Sequence, residues 1–202
     1  MSDNMKDNSG ILVQGHIKIF DPDTQTVYID KRNAIHYENM SIALAESLAN
    51  EGKGFIERMS FGNGGTSVDP TGIITYLTPN STGTNATLYN ETYSKVVDDS
   101  SAENTDPARN KMEIRHLSGT NYTDILVSCL LDYGEPEGQQ AFDTATNQDN
   151  QFVFDELGLR SYSGDPATPG RLITHVIFHP VQKSLNRLIQ IDYTVRVQSL
   201  AG

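Results

Sequence analysis

A glycine-rich segment is the first place where the residue types of this sequence could do chemistry. Residues Phe61 to Ser67 read F-G-N-G-G-T-S, and the backbone amides of such a loop can hold a phosphate group. A phosphate-binding P-loop continues with Lys and then Ser or Thr and opens a helix, whereas Val68, Asp69 and Pro70 follow here. We therefore interpret the glycines as a sharp turn that needs positive φ, which glycine adopts without strain.

The histidines supply the next candidate chemistry, which is metal binding. His175 and His179 lie four residues apart in a predicted strand and would face the same way. At about 3.3 Å per residue they would be about 13 Å apart, too far to share one metal ion. Asp21-x-Asp23-x-Gln25 lacks the glycine and the glutamate of a calcium loop. We therefore predict no metal site and no cofactor, and we interpret all five histidines as structural: His16, His36, His116, His175 and His179.

Nucleophilic catalysis is the third candidate chemistry. The single cysteine, Cys129, lies on the apolar face of a predicted strand, whereas reactive cysteines lie near bases in partly exposed, electropositive places. We predict that Cys129 is a small core residue. No G-x-S-x-G motif of a serine hydrolase occurs, and the paired acids Asp98–Asp99 and Glu135/Glu137 fall in predicted loops. The sequence thus predicts no catalytic residue, and we expect that the protein is not an enzyme.

Composition and charge narrow the class of protein. The chain has 202 residues and a formal net charge of −11. A negative surface repels phosphates and no run of Lys and Arg occurs, so we expect no sequence-specific nucleic-acid binding. No apolar run approaches the ~20 residues that span a bilayer, so we expect no membrane segment. The first ten residues lack the pattern of a secretory signal, and we expect synthesis and folding in the cytoplasm.

The charge is unevenly distributed along the chain. From Arg171 to the end, several bases stand against one acid, Asp192. A basic segment on an acidic protein can dock on an acidic neighbour, including a second copy of the chain. Ordinary solvated strand faces are the alternative interpretation. We take the bases of this segment as the candidate interface: Arg171, Lys183, Arg187 and Arg196.

The elements that would position these residues are mostly strands. Leu188 to Val197 alternates most clearly, which predicts that its polar residues face outward while one apolar row faces the core: Ile189, Ile191, Tyr193, Val195 and Val197. Two hairpins are predicted, Val13–Ile19 with Thr26–Ile29 and Lys111–Leu117 with Tyr122–Tyr133. Further strands are predicted at Phe55–Phe61, Gly72–Leu77, Phe152–Leu157 and Leu172–His179, with a turn at Pro180–Asn186.

One helix and several long loops complete the predicted architecture. The helix spans Asn39 to Asn50, where Asn39 or Ser41 would be the N-cap and Gly52 would stop the helix. About eight to ten short strands with one short helix indicate a mainly β fold, an antiparallel β-sandwich or open barrel. We expect a flexible N-terminus over residues 1–10 and a single β-rich domain over residues 11–202. Long loops are predicted near residues 78–86, 98–110 and 134–150.

Two segments carry a resemblance to a known class of protein. The first runs K-R-N-A-I over Lys31–Ile35, continues through the Ala/Leu-rich helix and ends in F-G-N-G-G at Phe61–Gly65. The second is the closing block from His175 to Arg196, which opens H-V-I-F-H-P. Both resemble small structural proteins of contractile-tailed bacteriophage virions. The resemblance implies a non-enzymatic virion protein, and it favours the neck, the collar or another tail-associated adaptor.

A virion protein of this kind would act through repeated protein contacts. We expect a homo-oligomer in a ring, or repeated copies on a ring, with other virion proteins as partners and the virion as its location after assembly in the host cytoplasm. The acidic loops would meet the basic segment of a neighbour. Three alternatives stay open: a capsid decoration or tail-tube protein, a metal-dependent enzyme whose His and Asp meet on folding, and a carbohydrate-binding β-sandwich that stacks sugars on Tyr28, Tyr37, Tyr76 or Tyr89.

Overall fold

Nine strands form one curled antiparallel sheet, shaped as a half-barrel. The computed structural model describes residues 10–136 and 151–200. The sheet order is β6-β3-β9-β10-β2-β1-β11-β8-β7, and β4 with β5 forms a separate hairpin. The predicted mainly β fold with one short helix is confirmed. The elements are β1 (Gly10–Phe20), β2 (Val27–Ile35), α1 (Tyr37–Leu48), β3 (Ile56–Gly62), β4 (Thr66–Val68), β5 (Ile74–Tyr76), β6 (Glu91–Val96), β7 (Lys111–His116), β8 (Tyr122–Leu131), β9 (Gln151–Ser161), β10 (Thr174–Ser184) and β11 (Ile189–Leu200).

Five neighbouring strands, β2, β1, β11, β8 and β7, make up what we call the regular half of the sheet, in which one pairing, β1 with β2, has a register shift, at Ile19/Phe20. β11 pairs with β1 from Gly10↔Leu200 to Phe20↔Gln190, and with β8 from Ile189↔Leu131 to Gln198↔Tyr122, without a register shift. Both predicted hairpins form here, as β1–β2 and β7–β8. The predicted inward row of β11 is buried from Ile189 to Val195, and Val197 is half-buried.

The other four strands, β6, β3, β9 and β10, make up the irregular half. Each of its three pairings contains a register shift. The predicted turn at Pro180–Asn186 is wrong, because β10 continues to Ser184. Pro180 lies inside the shift between Ile177 and Val181, where a residue without a backbone N–H costs no ladder hydrogen bond. The halves meet where β10 pairs with β2 over two residue pairs, Thr174↔Ile35 and His175↔Ala34.

The helix begins two residues earlier than the sequence predicts. His36 is its N-cap, and its Nδ1 accepts the backbone N–H of Asn39 at 3.2 Å. The prediction of Asn39 or Ser41 as the cap is wrong, because Asn39 is buried in the first turn and its side chain donates to the carbonyl of Leu172. The helix ends at Leu48, and Gly52 follows with φ of 67°.

The core is apolar and rich in aromatic rings. Phe154 packs against Phe61, Phe152 and Phe178, with ring centroids 5.4 to 5.8 Å apart. Cys129 is fully buried among the core residues, as predicted, and burial raises the pKa of its thiol to about 12. A thiol in this environment stays protonated and packs as a small apolar group.

The predicted loops are described only in part. Of the predicted N-terminus, residues 1–9 lie outside the described residues, and Gly10 already begins β1. Residues 137–150 of the third predicted loop also lie outside them. The loop near residues 98–110 is held by its own hydrogen bonds, since the Asn104 side chain donates to the carbonyls of Asp98 and Asn110.

Candidate functional site

An open apolar groove of about 590 Å³ lies between α1 and the regular half of the sheet. The helix contributes Met40, Leu44 and Leu48 to one wall, and β7 and β8 contribute Met112, Ile114 and Ile125. Among the described residues that line the groove, none is charged and Ser47 is the one polar side chain. Such a surface suits an apolar protein segment, because it offers burial and almost no hydrogen bonding.

The groove follows from the spacing of apolar residues in its two walls. Met40, Leu44 and Leu48 recur every four residues and so form a row on one side of α1. Leu48 is 84% exposed and Ile114 on β7 is 78% exposed. Covering a large aliphatic side chain is worth about 1.5–3 kcal/mol. A contiguous apolar surface of this kind is a candidate contact site.

The strand beside the groove is the edge of the sheet. β7 is the last strand in the order, and its charged residues alternate with the groove residues Met112 and Ile114. Glu113 pairs with Lys111 at 3.0 Å and with Arg115 at 2.9 Å. Charged side chains on an edge strand discourage unspecific strand pairing. The edge therefore favours contact through the groove over uncontrolled pairing of backbones.

The glycine-rich segment binds anions, and these anions are carboxylates of its own chain. The backbone N–H of Gly64 donates to Glu156 Oε1 at 3.1 Å, and that of Gly65 donates to Asp155 Oδ1 at 2.9 Å. The backbone N–H of Thr66 donates to Asp155 Oδ2 at 2.9 Å. We call these contacts the carboxylate anchor. They fix the base of the β4–β5 hairpin on β9.

The predicted reason for the glycines is wrong. None of Gly62, Gly64 and Gly65 has positive φ. A Cβ on Gly62 would lie 2.4 Å from the carbonyl oxygen of Asn90, and one on Gly64 would lie 2.8 Å from the backbone nitrogen of Asn90. Glycine is needed because two backbones approach closely, not because the chain turns sharply.

Glu156 and His175 form a buried pair at the centre of the anchor. Both side chains are fully buried, and His175 Nε2 lies 2.9 Å from Glu156 Oε2. His175 Nδ1 accepts the backbone N–H of Asn80 at 2.8 Å, so the ring proton lies on Nε2 and is donated to Glu156. Glu156 also accepts the backbone N–H groups of Tyr89 at 2.9 Å and Asn90 at 2.8 Å. These hydrogen bonds join β9 and β10 to the segments at Asn80 and at Tyr89 and Asn90.

The two neighbouring carboxyls of the anchor have opposite pKa shifts. Burial raises the pKa of Asp155 above its ordinary value, and hydrogen bonds from Thr66 and Gly65 offset only part of this. Burial acts in the same direction on Glu156, but hydrogen bonds from His175, Asn90 and Tyr89 outweigh it and leave the pKa of Glu156 lowered. The protein therefore holds Glu156 as a carboxylate more firmly than Asp155.

The two strand histidines, which the sequence predicts to face the same way, differ in burial. His175 is fully buried, whereas His179 is exposed. The register shift between Ile177 and Val181 interrupts the alternation of β10 before His179. His179 Nδ1 lies 3.3 Å from the hydroxyl of Tyr76 at the base of the hairpin.

The four predicted interface residues differ in burial and in their contacts. Arg171 Nη1 donates to both carboxylate oxygens of Glu46 at 3.0 Å. Arg187 lies over the ring of Tyr28, 5.0 Å from its centroid.

Lys183 and Arg196 complete this set. Lys183 is fully buried, and burial lowers its pKa to about 8. Arg196 binds Asp124 through two hydrogen bonds of 2.7 and 2.8 Å. A partly exposed ion pair contributes only about 0–1 kcal/mol to stability. The three arginines can therefore leave their partners within the chain for an acidic group of another subunit more readily than the buried Lys183 can. The interface through this segment stays a prediction.

The tyrosines considered as sugar platforms differ in exposure. The ring of Tyr28 is covered by Arg187, while Tyr37, Tyr76 and Tyr89 are exposed. The hydroxyl of Tyr89 donates to the carbonyl of Thr78 at 2.7 Å. Within residues 10–136 and 151–200, no cluster of three or more His, Cys, Asp or Glu side chains is placed to hold a metal ion. In the same residues, no helix has the length and apolar character needed to cross a membrane.

Comparison of the chain with protein-family models, with curated proteins and with solved structures found no match. Sequence reasoning did not find the groove. The row Met40, Leu44 and Leu48 was readable as a helix face, but nothing local shows that the sheet leaves that face partly open.

Proposed function

We propose that this chain is a non-catalytic structural protein of a tailed-bacteriophage virion, an adaptor of the neck, collar or tail that acts through protein contacts. The open apolar groove carries the proposal. Its walls leave Leu48 and Ile114 largely exposed, although covering such side chains is strongly favourable. A chain that keeps this surface is suited to bury it against another subunit.

The buried ionisable groups support a structural role. Glu156 and His175 bind one another and four backbone N–H groups, counting those of Gly64, Tyr89, Asn90 and Asn80. A catalytic acid or base needs a free position directed at a substrate. The polar atoms of these side chains are instead hydrogen-bonded to one another and to the backbone.

Arg160 follows the same pattern. It is buried, and its guanidinium donates to the hydroxyl of Ser60 at 3.1 Å and to the carbonyl of Gly170 at 2.8 Å. It also pairs with Glu91. A polar network whose members satisfy one another rigidifies the structure around it. This rigidity suits a subunit that must present fixed surfaces.

The two segments that resemble phage structural proteins lie together in the fold. The Lys31 ammonium of the first segment donates to the carbonyl of Ile177 in the closing block at 2.8 Å. Gly64 and His175, one from each segment, both bind Glu156. The resemblance therefore covers residues that jointly build the junction between the two halves of the sheet. This supports reading the two segments as parts of one framework.

Quantitative mass spectrometry of gradient-purified phage particles tests the proposal. We expect the chain in a fixed number of copies per particle, in the proportion of a ring component. Phage with a nonsense mutation in its coding sequence should accumulate incomplete particles. A chain that is abundant in infected cells and missing from purified particles would overturn the proposal. Its position in intact particles separates the neck or collar from the tail tube and the capsid surface.

A further inference from the structure

We propose that copies of this chain bind one another head to tail, with the β4–β5 hairpin of one copy seated in the apolar groove of the next. The inference rests on the proposed function, because it names a second copy of the chain as the occupant of the groove.

The hairpin projects from the body of the protein. Residues 67–77 are all exposed except Ile74, which is half-buried. Val68 is 62% exposed and Ile73 is 63% exposed. β4 and β5 pair over three residues each, and a two-stranded hairpin is at best marginally stable in water. An arm that is apolar and almost without a core of its own gains from being covered by another surface.

The base of this arm is nevertheless held firmly. Asp155 accepts hydrogen bonds from the backbone N–H groups of Gly65 and Thr66. The backbone N–H of Leu77 donates to the carbonyl of Gly65 at 2.9 Å and so closes the base from the other strand. A segment that is already ordered loses less conformational entropy on binding. The carboxylate anchor thus presents the apolar tip in a defined place.

The chemistry of the arm matches that of the groove. The hairpin has one charged residue, Asp69, and its carboxylate accepts the backbone N–H groups of Thr71 at 2.8 Å and Ile73 at 2.9 Å. Among the described residues that line the groove, none is charged. Insertion of Val68 and Ile73 therefore buries apolar area while Asp69 Oδ1 keeps its hydrogen bonds within the hairpin.

The two surfaces belong to different parts of the molecule. The hairpin is fixed on β9 and β10, whereas the groove is lined by α1, β7, β8 and β11, with Phe55, Ile56 and Ile173 at its side. The described residues of the hairpin do not line the groove of their own chain. A contact between two different patches is heterologous, and it generates a ring when the rotation closes. The contact therefore provides a route to a ring built from one chain type.

Two variants and one control test this contact by sedimentation velocity over a range of concentrations. Ile73→Asp places a charge on the hairpin, and Ile114→Asp places one in the groove. Ile11→Asp is the matched control, because Ile11 is 66% exposed and lies in neither surface. We expect each test variant to weaken self-association at least about tenfold, since one buried isoleucine is worth about 1.5–3 kcal/mol. The control should associate like the unmodified chain.

Mixing the two test variants gives the sharpest result. The Ile73→Asp chain keeps an intact groove and the Ile114→Asp chain keeps an intact hairpin, so an equimolar mixture should form a one-to-one dimer that neither variant forms alone. Thermal unfolding of each variant verifies that the monomer is folded. If Ile114→Asp alone abolishes association and mixing restores nothing, the grooves face one another and the proposal is wrong. If Ile11→Asp weakens self-association as much as the two test variants do, the contact lies elsewhere and the proposal is also wrong.

Cysteine cross-linking gives an independent readout. Oxidation of a chain carrying both Val68→Cys and Ile114→Cys should produce a ladder of covalent multimers, while either single variant should produce none. The native Cys129 is fully buried and does not interfere. An unmodified chain that stays monomeric at the highest concentrations, with no ladder from the double variant, means that a different protein fills the groove. In that case particle composition would still test the proposed function separately.

Discussion

β11 and β9 each lie between two strands of the same sheet, but their surroundings differ. β11 pairs with β1 and β8 over its length without a register shift, and its alternate residues from Ile189 to Val195 enter the core. β9 pairs with β3 and β10 through shifted registers, and it carries buried Asp155, Glu156 and Arg160. The regular half is thus specified by apolar alternation, and the irregular half by a polar network.

This difference shows that apolar alternation and buried hydrogen bonds act in different parts of the sheet. A one-residue slip in β11 would expose its whole apolar row, so the pattern itself selects the register. Register shifts in the irregular half interrupt that pattern. There, the carboxylates of Asp155 and Glu156 hold the backbone of Gly64, Gly65 and Asn90 against β9. The arm proposed for assembly projects from the half that depends on the carboxylate anchor.

The largest expected effect comes from breaking the anchor. Glu156→Ala should lower the free energy of unfolding by about 3–5 kcal/mol, because it leaves buried donors without their acceptor. The matched control in the regular half is Asp124→Ala, which removes the partly exposed partner of Arg196 and should cost about 0–1 kcal/mol. Urea unfolding of both variants measures the two losses in the free energy of unfolding. Equal losses would mean that the buried network does not hold the irregular half.

A large-to-small change in the regular half is expected to cost somewhat less. Ile191 is fully buried, and Ile191→Ala should lower the free energy of unfolding by about 3 kcal/mol through lost burial and the cavity left behind. Hydrogen exchange separates the two mechanisms. The amides of Gly64, Tyr89 and Asn90 should lose protection in Glu156→Ala and keep it in Ile191→Ala at matched stability. Similar exchange in both variants would contradict the division into two halves.

The pH dependence of stability should change in opposite directions at the two anchor carboxyls. The lowered pKa of Glu156 contributes stability that is fully present above its ordinary value of 4.5 and is lost as pH falls through the lowered value. The raised pKa of Asp155 makes the folded state take up a proton first, so stability rises as pH falls through that raised value.

Two substitutions test these signs. Between about pH 7 and pH 3, Glu156→Gln should lose less stability than the unmodified chain, whereas Asp155→Asn should lose more. Urea unfolding at several pH values gives the slopes, which are read separately from the absolute stability of each variant. Slopes that change in the same direction for both variants would refute the opposite assignments.

The smallest expected effect is at the cysteine of the regular half. Cys129→Ala should lower the free energy of unfolding by about 1 kcal/mol and leave assembly intact, because the thiol is a packing group. A thiol reagent should modify the native protein far more slowly than the unfolded protein, since burial raises the pKa of Cys129 to about 12. Loss of assembly in a well-folded Cys129→Ala variant would count against this assignment.

The strands of both halves were largely readable from the sequence, but the shifted registers and buried polar contacts of the irregular half were not. Alternation identified the inward row of β11 because its pairing is unbroken. The sequence prediction of a turn from Pro180 was wrong, because a register shift lets a proline lie within β10. Composition rules failed at His36, because histidine is not among the common N-cap residues.

The candidate site was the least readable part. The partners of Glu156 come from residues 64, 89, 90 and 175, which no local pattern connects. The exposure of Leu48 and Ile114 is decided by how α1 lies against the sheet, and both residues fit an ordinary core-facing pattern. The four bases chosen from sequence were identified by charge alone, and charge does not reveal that Glu46 and Asp124 pair with Arg171 and Arg196 within the chain.

Electron cryomicroscopy of the intact virion tests most directly whether the groove between α1 and β7 is an assembly contact. We predict that the chain is found in repeated copies around the particle axis, with Leu48 and Ile114 of each copy covered by apolar residues of a neighbouring subunit. A map in which the chain is present and these residues face solvent in every copy would contradict the account, as would a complete particle that lacks the chain.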